Sequence, residues 1–454
     1  MGETRSYALN HQLRQLLDES GLTGEALAGE VNAAGAGRGL ELRYSRSSVA
    51  HWLSGVHPRQ PVPALVAEVF SAVLGRSVTV AQTGLADDAA LPSGAATTGS
   101  GLSTDNLSTE MAELAGPTRD RGRRREVRVS RFAPPEWPVA GTTVHRRRRS
   151  DPDAPRIGQS EVASAHLMRD LFSTADAERG GRATRPALGL YAGTTLATWL
   201  RADASPAVRR KLLAVAAELC YLYAFMCFDD EDQGPAQRYF LISAQLAAEA
   251  GDRAVYAIAL RGMSVQCHHL GHRKQSLALA ESAVGSIAGT AVRPRTRAFL
   301  HGQVAVALAG VGDGDRAPAE LRTAERHLSR AEEHVPAIGA YNTASLAHQH
   351  AEVAELSGDS TEAIRLFKAS SAQRPAIERR SLAVVLGRLA QLQFAAGHLD
   401  AACDTWLQLL DVRRMVGSAR VDAAVTEMRR LVEPHRDTTS VRALLDRADA
   451  LQPG

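Results

Sequence analysis

Five residues in one short stretch, Ser45, Arg46, Ser47, Ser48 and His51, bring hydroxyls, a guanidinium fork and an imidazole within two helical turns. That mixture suits hydrogen bonding to phosphate oxygens and base edges, and Arg46 could take a guanine edge or a phosphate. Arg38 and Arg43, just ahead of them, could add phosphate contacts. A second group, Cys267, His268, His269 and His272, gathers four soft ligands in six residues. A closed metal site needs ligands converging from more than one short helix, so core or helix-end roles are expected and no metal. A third, Asp229, Asp230, Glu231 and Asp232, comes after an apolar run and is expected to be a solvated helix exit or the cap region of the next helix.

Charge is concentrated elsewhere. From Arg119 to Arg149 there are eleven arginines against three acids, a local balance of +8 in a chain whose formal charge is only +3. Arg121, Arg123, Arg124, Arg125, Arg128 and Arg146, Arg147, Arg148 and Arg149 are candidate phosphate contacts, or else a basic linker that keeps the chain in solution. The aromatic residues Tyr191, Trp199, Tyr223 and Tyr239, with Arg238 and Arg261 for polar contact, are candidates for an effector pocket, and core packing is the alternative. The four cysteines lack zinc-module spacing and have no secretory leader ahead of them, and no run is expected to reach the eighteen or so apolar residues of a membrane span. A cytoplasmic protein with reduced thiols is expected. No phosphate-binding glycine loop, dinucleotide fingerprint or Ser-His-Asp arrangement is found, so no cofactor and no enzyme activity are expected.

These residues need elements to position them. With 454 residues, 44% of them hydrophobic and only 5% aromatic, the chain can fill cores with thin, closely packed helices. Leu9, Leu13, Leu16 and Leu17 form an apolar stripe, Thr23 can cap a second helix, and Ser45 a third whose Val49, Trp52 and Leu53 face inward. Gly35, Gly37 and Gly39 predict a long turn between them, and Pro63 to Leu74 a fourth helix. Gly, Ser, Thr, Ala and Pro dominate the stretch from Gly94 to Ser103, which predicts a flexible linker over 86–156. Trp137, set between prolines, either docks on the carboxy-terminal domain or stays exposed. Beyond about residue 157 helical patterns succeed one another, with Ser205-Pro206 as cap and first helical residue of one of them. Glycines at 251, 271, 314, 358 and 397 separate the later ones, the last three 44 and 39 residues apart.

The order Leu27-Ala28, a turn, Ser45 through Val49, then Trp52-Leu53-Ser54-Gly55 resembles the phage-repressor-like (XRE-type) helix-turn-helix family over about residues 7 to 75. The resemblance implies that the helix from Ser45 to Leu53 enters the major groove, with Arg46, Ser47, Ser48 and His51 facing DNA. Gly24 stands where that family commonly has a phosphate-contacting glutamine. Two stretches, Ala351 to Ser370 and Ala390 to Trp406, resemble degenerate tetratricopeptide repeats, which implies a groove for a small molecule, peptide or protein. Together the halves resemble actinobacterial regulators of that architecture. The expected fold is therefore all-α, a small helix-turn-helix bundle at 1–85 linked through 86–156 to a helical-repeat α-solenoid at 157–454 for sensing and oligomerisation. The expected function is sequence-specific DNA-binding transcription regulation, with double-stranded DNA as partner, a homodimer, control by an effector or partner, and repression of development or secondary metabolism among the implied roles. The alternatives are a tetratricopeptide-type protein-interaction adaptor and a helical metal-dependent enzyme.

Overall fold

In a computed structural model of the chain, residues 10–36, 40, 42–54, 56, 58, 61–74, 78, 80, 83–85, 104–115, 127–135, 137, 156–332 and 337–451 are described. They fall into two compact units, Met1–Thr98 and Gly99–Gly454. Every named element in them is helical.

The first unit holds α1 (His11–Ser20), α2 (Gly24–Ala36), α3 (Arg46–Leu53) and α4 (Val62–Leu74). Its apolar stripes do what their spacing predicts: Leu13, Leu27, Val31, Val49, Trp52, Leu65, Val66 and Phe70 are buried in one core. Asn10 caps α1 by accepting from the Leu13 N–H at 2.9 Å and donates to the Thr83 carbonyl at 2.9 Å. The Asn32 amide grips the chain ahead of α3, donating to the Tyr44 carbonyl and accepting from its N–H, each at 2.9 Å. Tyr44 then packs edge-on to Trp52 at 5.2 Å. The glycine-rich turn is shorter at its start than expected, because α2 runs on to Ala36.

The second unit begins inside the segment expected to be a linker. There α5 (Thr104–Ala115) buries Leu107 and Met111, and a strap at residues 127–137 buries Phe132 in the same core. Gln237 anchors the strap at both sides of Arg128, accepting from its N–H at 3.0 Å and donating to its carbonyl at 2.9 Å. Trp137 does dock: it stands edge-on to Tyr256 at 5.0 Å with the Arg253 guanidinium 4.4 Å from its ring.

Next along the chain are α6 (Gln159–Arg179), α7 (Gly181–Tyr191), a π-helical turn at Ala192–Leu196, α8 (Ala197–Arg201) and α9 (Pro206–Asp229). Then come α10 (Gln233–Ala250), α11 (Arg253–His269), α12 (Arg273–Ser286), α13 (Pro294–Gly310), α14 (Ala317–Leu328), α15 (Thr343–Leu356) and α16 (Ser360–Ala372). The chain closes with α17 (Arg379–Ala395), α18 (Leu399–Arg413), α19 (Ala419–Val432) and α20 (Thr439–Asp449). From α9 to α18 they pack as consecutive antiparallel pairs, after which α19 lies on α17 and α20 on α18. This is the all-α, repeated-pair architecture of a tetratricopeptide-like solenoid.

The pairs turn where left-handed backbone is needed, at Gly251, Gly271, Gly358 and Gly397. Between α13 and α14 that role belongs to Gly312 rather than the expected Gly314. Contrary to expectation, α9 is long and apolar enough to cross a membrane, yet most of it is buried within this core.

Candidate functional site

Asp229 ends α9 and opens the acidic turn 229–232, which is the cap region the sequence offers as one of its two readings, with Asp232 as N-cap of α10 and Glu231 exposed, but Asp229 itself is buried. It lies at the meeting point of five helices. The Asp229 side chain is 1% exposed, with the Arg380 guanidinium from α17 at 3.8 Å and that of Arg420 from α19 at 4.0 Å. Asp230 receives Arg182 at 3.1 Å and Arg185 at 3.2 Å, both from α7. Asp232 takes Arg185 at 3.0 Å, and Glu231, the one non-glycine residue with positive φ among those described, pairs with His269 at 3.1 Å. Asp176 of α6 joins from the other side, bound to Arg380 at 3.1 Å.

The curvature of the solenoid brings these groups together. Asp229 belongs to the first pair of the array, whereas Arg380 and Arg420 come from the fifth pair and the helix stacked after it. Such elements touch only if the superhelix has come round upon itself. Backbone contacts complete the closure: the Gly417 N–H donates to the Arg179 carbonyl at 2.7 Å, and the Arg182 N–H to the Gly417 carbonyl at 3.2 Å. Arg182 also spans from Asp230 to Asp422 of α19 at 2.7 Å.

The groups that meet across the interior sit on α6 and on the first helices of the pairs, so these line the concave face. Arg261 of α11 lies over the Phe299 ring at 3.9 Å, within electrostatic reach of Tyr221, Glu352 and Tyr341. Arg380 lies over Phe225 and Arg420 over Phe228, each at 4.8 Å. Glu352 of α15 has His348 at 3.5 Å. Burial opposes its charge, but His348, His268 and Arg261 outweigh that and hold its carboxyl down at about 2. Asp176 is the reverse: burial raises its carboxyl to about 6 despite Arg380, with Asp229 adding to the rise.

Hydrogen-bonding capacity is left over here. Asp176 Oδ1, both Asp229 carboxylate oxygens, Arg380 Nε, Arg261 Nε, His268 Nδ1 and His348 Nδ1 are buried and have no partner. Unfilled buried groups are costly and uncommon in a settled core, and these are seven of the twelve such side-chain atoms among the described residues, which marks this face as the candidate site.

The chain has detectable likenesses to known proteins. Residues 13–86 match the family model described as the SP15 N-terminal domain. No curated protein matches the chain. Among solved structures it is similar to a Rap protein complexed with competence and sporulation factor, at 14% identity over 64% of this chain and 86% of that one, with a TM-score of 0.40. It is also similar to aspartyl phosphate phosphatase F from Bacillus subtilis, at 13% identity over 64% of this chain and 83% of that one, with a TM-score of 0.34.

These matches correct the expectation of an actinobacterial XRE-type DNA-binding regulator, together with its helix-turn-helix and transcription vocabulary and its partner, double-stranded DNA. The expectation that the chain is not an enzyme is withdrawn with it, one of these likenesses being to an aspartyl phosphate phosphatase. The XRE-type resemblance rested on short helices with a serine cap and an apolar stripe, features that report how a small bundle packs and not what it binds.

The sequence candidates are dispersed. Arg43, Ser45, Arg46, Ser47 and His51 are exposed on and before α3. Ser48 is half-buried, and its hydroxyl accepts from the Ser45 N–H at 3.3 Å while the Ser45 and Ser47 hydroxyls meet at 2.7 Å. The serines therefore organise the start of α3. Arg128 is exposed in the strap; Arg38, Arg121, Arg123, Arg124, Arg125, Arg146, Arg147, Arg148 and Arg149 lie outside the described residues.

Of the effector-pocket candidates, Tyr239 is buried in the main core and Tyr191, Trp199 and Tyr223 pack against it. Tyr191 stands edge-on to Trp199 at 6.2 Å, Tyr223 packs on Tyr239 at 4.4 Å, Arg238 is near Arg131, and only Arg261 reaches the concave face. The expectation of no metal was made for Cys267 and its histidine neighbours. Cys267 is buried in the core, and no group of three ligating side chains is found among the described residues. Sequence reasoning missed Asp176, Glu352, Arg380 and Arg420, which stand among other charged and polar residues of ordinary helical sequence. Arg380 and Arg420 each stand two residues into a first helix, a position with no local signature.

Proposed function

We propose that the second unit is a helical-repeat receptor that binds a short peptide or protein segment on its concave face. What supports this reading is the convergence of Arg261, Glu352, Arg380 and Arg420, from four first helices of the array, on a face with unfilled hydrogen-bonding capacity. A peptide presents an amide donor and acceptor at every residue along an extended backbone, and polar groups spaced over successive repeats match that periodic demand. The aromatic floor of Phe225, Phe228 and Phe299 supplies apolar area beneath the charges.

The reading assigns sensing to residues 157–454, with α5 and the strap as parts of the same body. It places the protein in the cytoplasm, supported by four cysteines that are all free and buried.

The test is selection of displayed peptides on the full chain, followed by hydrogen exchange with and without a selected peptide. Protection concentrated on α9, α11, α15, α17 and α19 is expected. Protection confined to the outer helices α10, α12, α14 and α16, or failure to select any peptide, removes this function.

A further inference from the structure

The carboxylates of the concave face are unequal to its arginines in one respect, which is access. Asp176 and Asp229 are sealed, with side chains 5% and 1% exposed, and they brace Arg380, itself 12% exposed. A ligand cannot reach those oxygens without prising the closure apart. Glu352 is reachable, but its charge is already engaged by His348 and shared with His268 and Arg261.

The two other guanidiniums are placed differently. Arg261 is half-buried, lies over the Phe299 ring at 3.9 Å, and has no carboxylate within salt-bridge distance among the described residues. The Tyr221 side chain is a hydrogen-bonding neighbour, and the buried Arg261 Nε has no hydrogen-bond partner among the described residues. Arg420 is 24% exposed, lies over Phe228, and meets Asp229 at 4.0 Å, with Glu231 and Glu352 within electrostatic reach. Both are within electrostatic reach of the same Glu352, which places them on one face.

A guanidinium has five N–H donors in a rigid plane. When an aromatic ring covers the plane, the donors remain free along the edge, ready for a two-point contact with a carboxylate. Two such edges on one concave face, each backed by a ring and each short of acceptors, define what would complete them.

We propose that Arg261 and Arg420 form a paired anchor for the carboxylate groups of an acidic peptide. The proposal rests on the peptide-receptor reading and names the class of peptide that fits. The acceptors are side-chain carboxylates of Asp or Glu, or one such side chain and a terminal carboxylate, on a segment that crosses from α11 to α19. Glu352, within electrostatic reach of both anchors, rejects a further acidic group beside it, so the carboxylates are separated along the peptide rather than adjacent.

The experiment uses the full chain on arrays of immobilised short peptides in acidic, basic and uncharged sets of equal length. Native protein is compared with Arg261→Gln and Arg420→Gln, and with Arg322→Gln on the exposed surface of α14 as control. The expected result is retention on the acidic set, weakened about tenfold or more by either concave-face substitution and unchanged by the control. Arg261→Lys and Arg420→Lys preserve charge without the fork, and are expected to fall between native and glutamine variants with unfolding midpoints equal to native.

Acidic-set binding that survives both glutamine substitutions belongs to the arginine-rich stretch 119–149 and overturns the anchor. Binding to the basic or uncharged set that is competed by a peptide protecting the first helices leaves the receptor standing and overturns the acidic class. Binding to none of the sets overturns both.

Discussion

Asp176 shows how a single buried group couples this fold to pH. Its carboxyl is raised from 3.8 to about 6, by burial first, with Arg380 opposing and Asp229 adding to the rise. The folded state therefore holds a proton that the unfolded chain has released, over the window between those two values. Stability contributed by this group is fully present below pH 3.8 and is lost as pH rises toward 6. Glu352 acts in the opposite sense: its carboxyl is depressed to about 2, so its contribution is present above 4.5 and is lost as pH falls. Urea unfolding at a series of pH values is expected to show a downward slope between pH 4 and 6 that Asp176→Asn flattens. An unchanged slope in that variant would show that Asp176 does not titrate in the window. Neither role could be read from the residues themselves, because Asp176 and Glu352 sit in ordinary helical sequence and acquire their environment from helices far along the chain.

The junction of α6 with α7 and the loop from α18 to α19 form the element-scale closure of the ring. Gly180 is essential to it for two reasons. Its φ of 77° and ψ of 167° belong to a region only glycine enters readily, and a Cβ there would stand 2.4 Å from the Gly417 carbonyl oxygen. Gly180→Ala is expected to cost about 1–3 kcal/mol and to raise hydrogen exchange in α6, α7 and α19 together. Faster exchange limited to the substituted turn would mean that the closure is not cooperative. The succession of helices was legible at this scale: the glycines at 271, 358 and 397 do stand between helices, among them Ser360–Ala372. Capping residues account for that success, since Asp359 and Ser418 each accept from a first-turn N–H. The strap was less legible, because its Pro-rich composition carries no period and its order comes from Gln237, Tyr256 and Arg253 on other helices.

For the whole molecule, the second unit carries its own core from Leu107 onward. A chain beginning at Gly99 is therefore expected to fold alone and to unfold with the same urea midpoint as the corresponding transition of the full chain. A lowered midpoint would show that the first unit contributes to the second one's stability. Within the stretch read as a linker, 86–156, α5 and residues 127–135 lack enough apolar surface to form a core, but have enough to join one.

The amino-acid sequence by itself determined the helices, their caps, the glycine turns between them and the repeated pairing of the second unit, since all of these depend on neighbours within a few positions. Tertiary structure alone decided that the acidic turn 229–232 is a closure point, that Asp176 is buried beside it, and that Arg261 and Arg420 share a concave face. The physical reason is curvature. Each pair adds a small rotation, and only after several pairs does the chain return to place α17 and α19 against α6, α7 and α9.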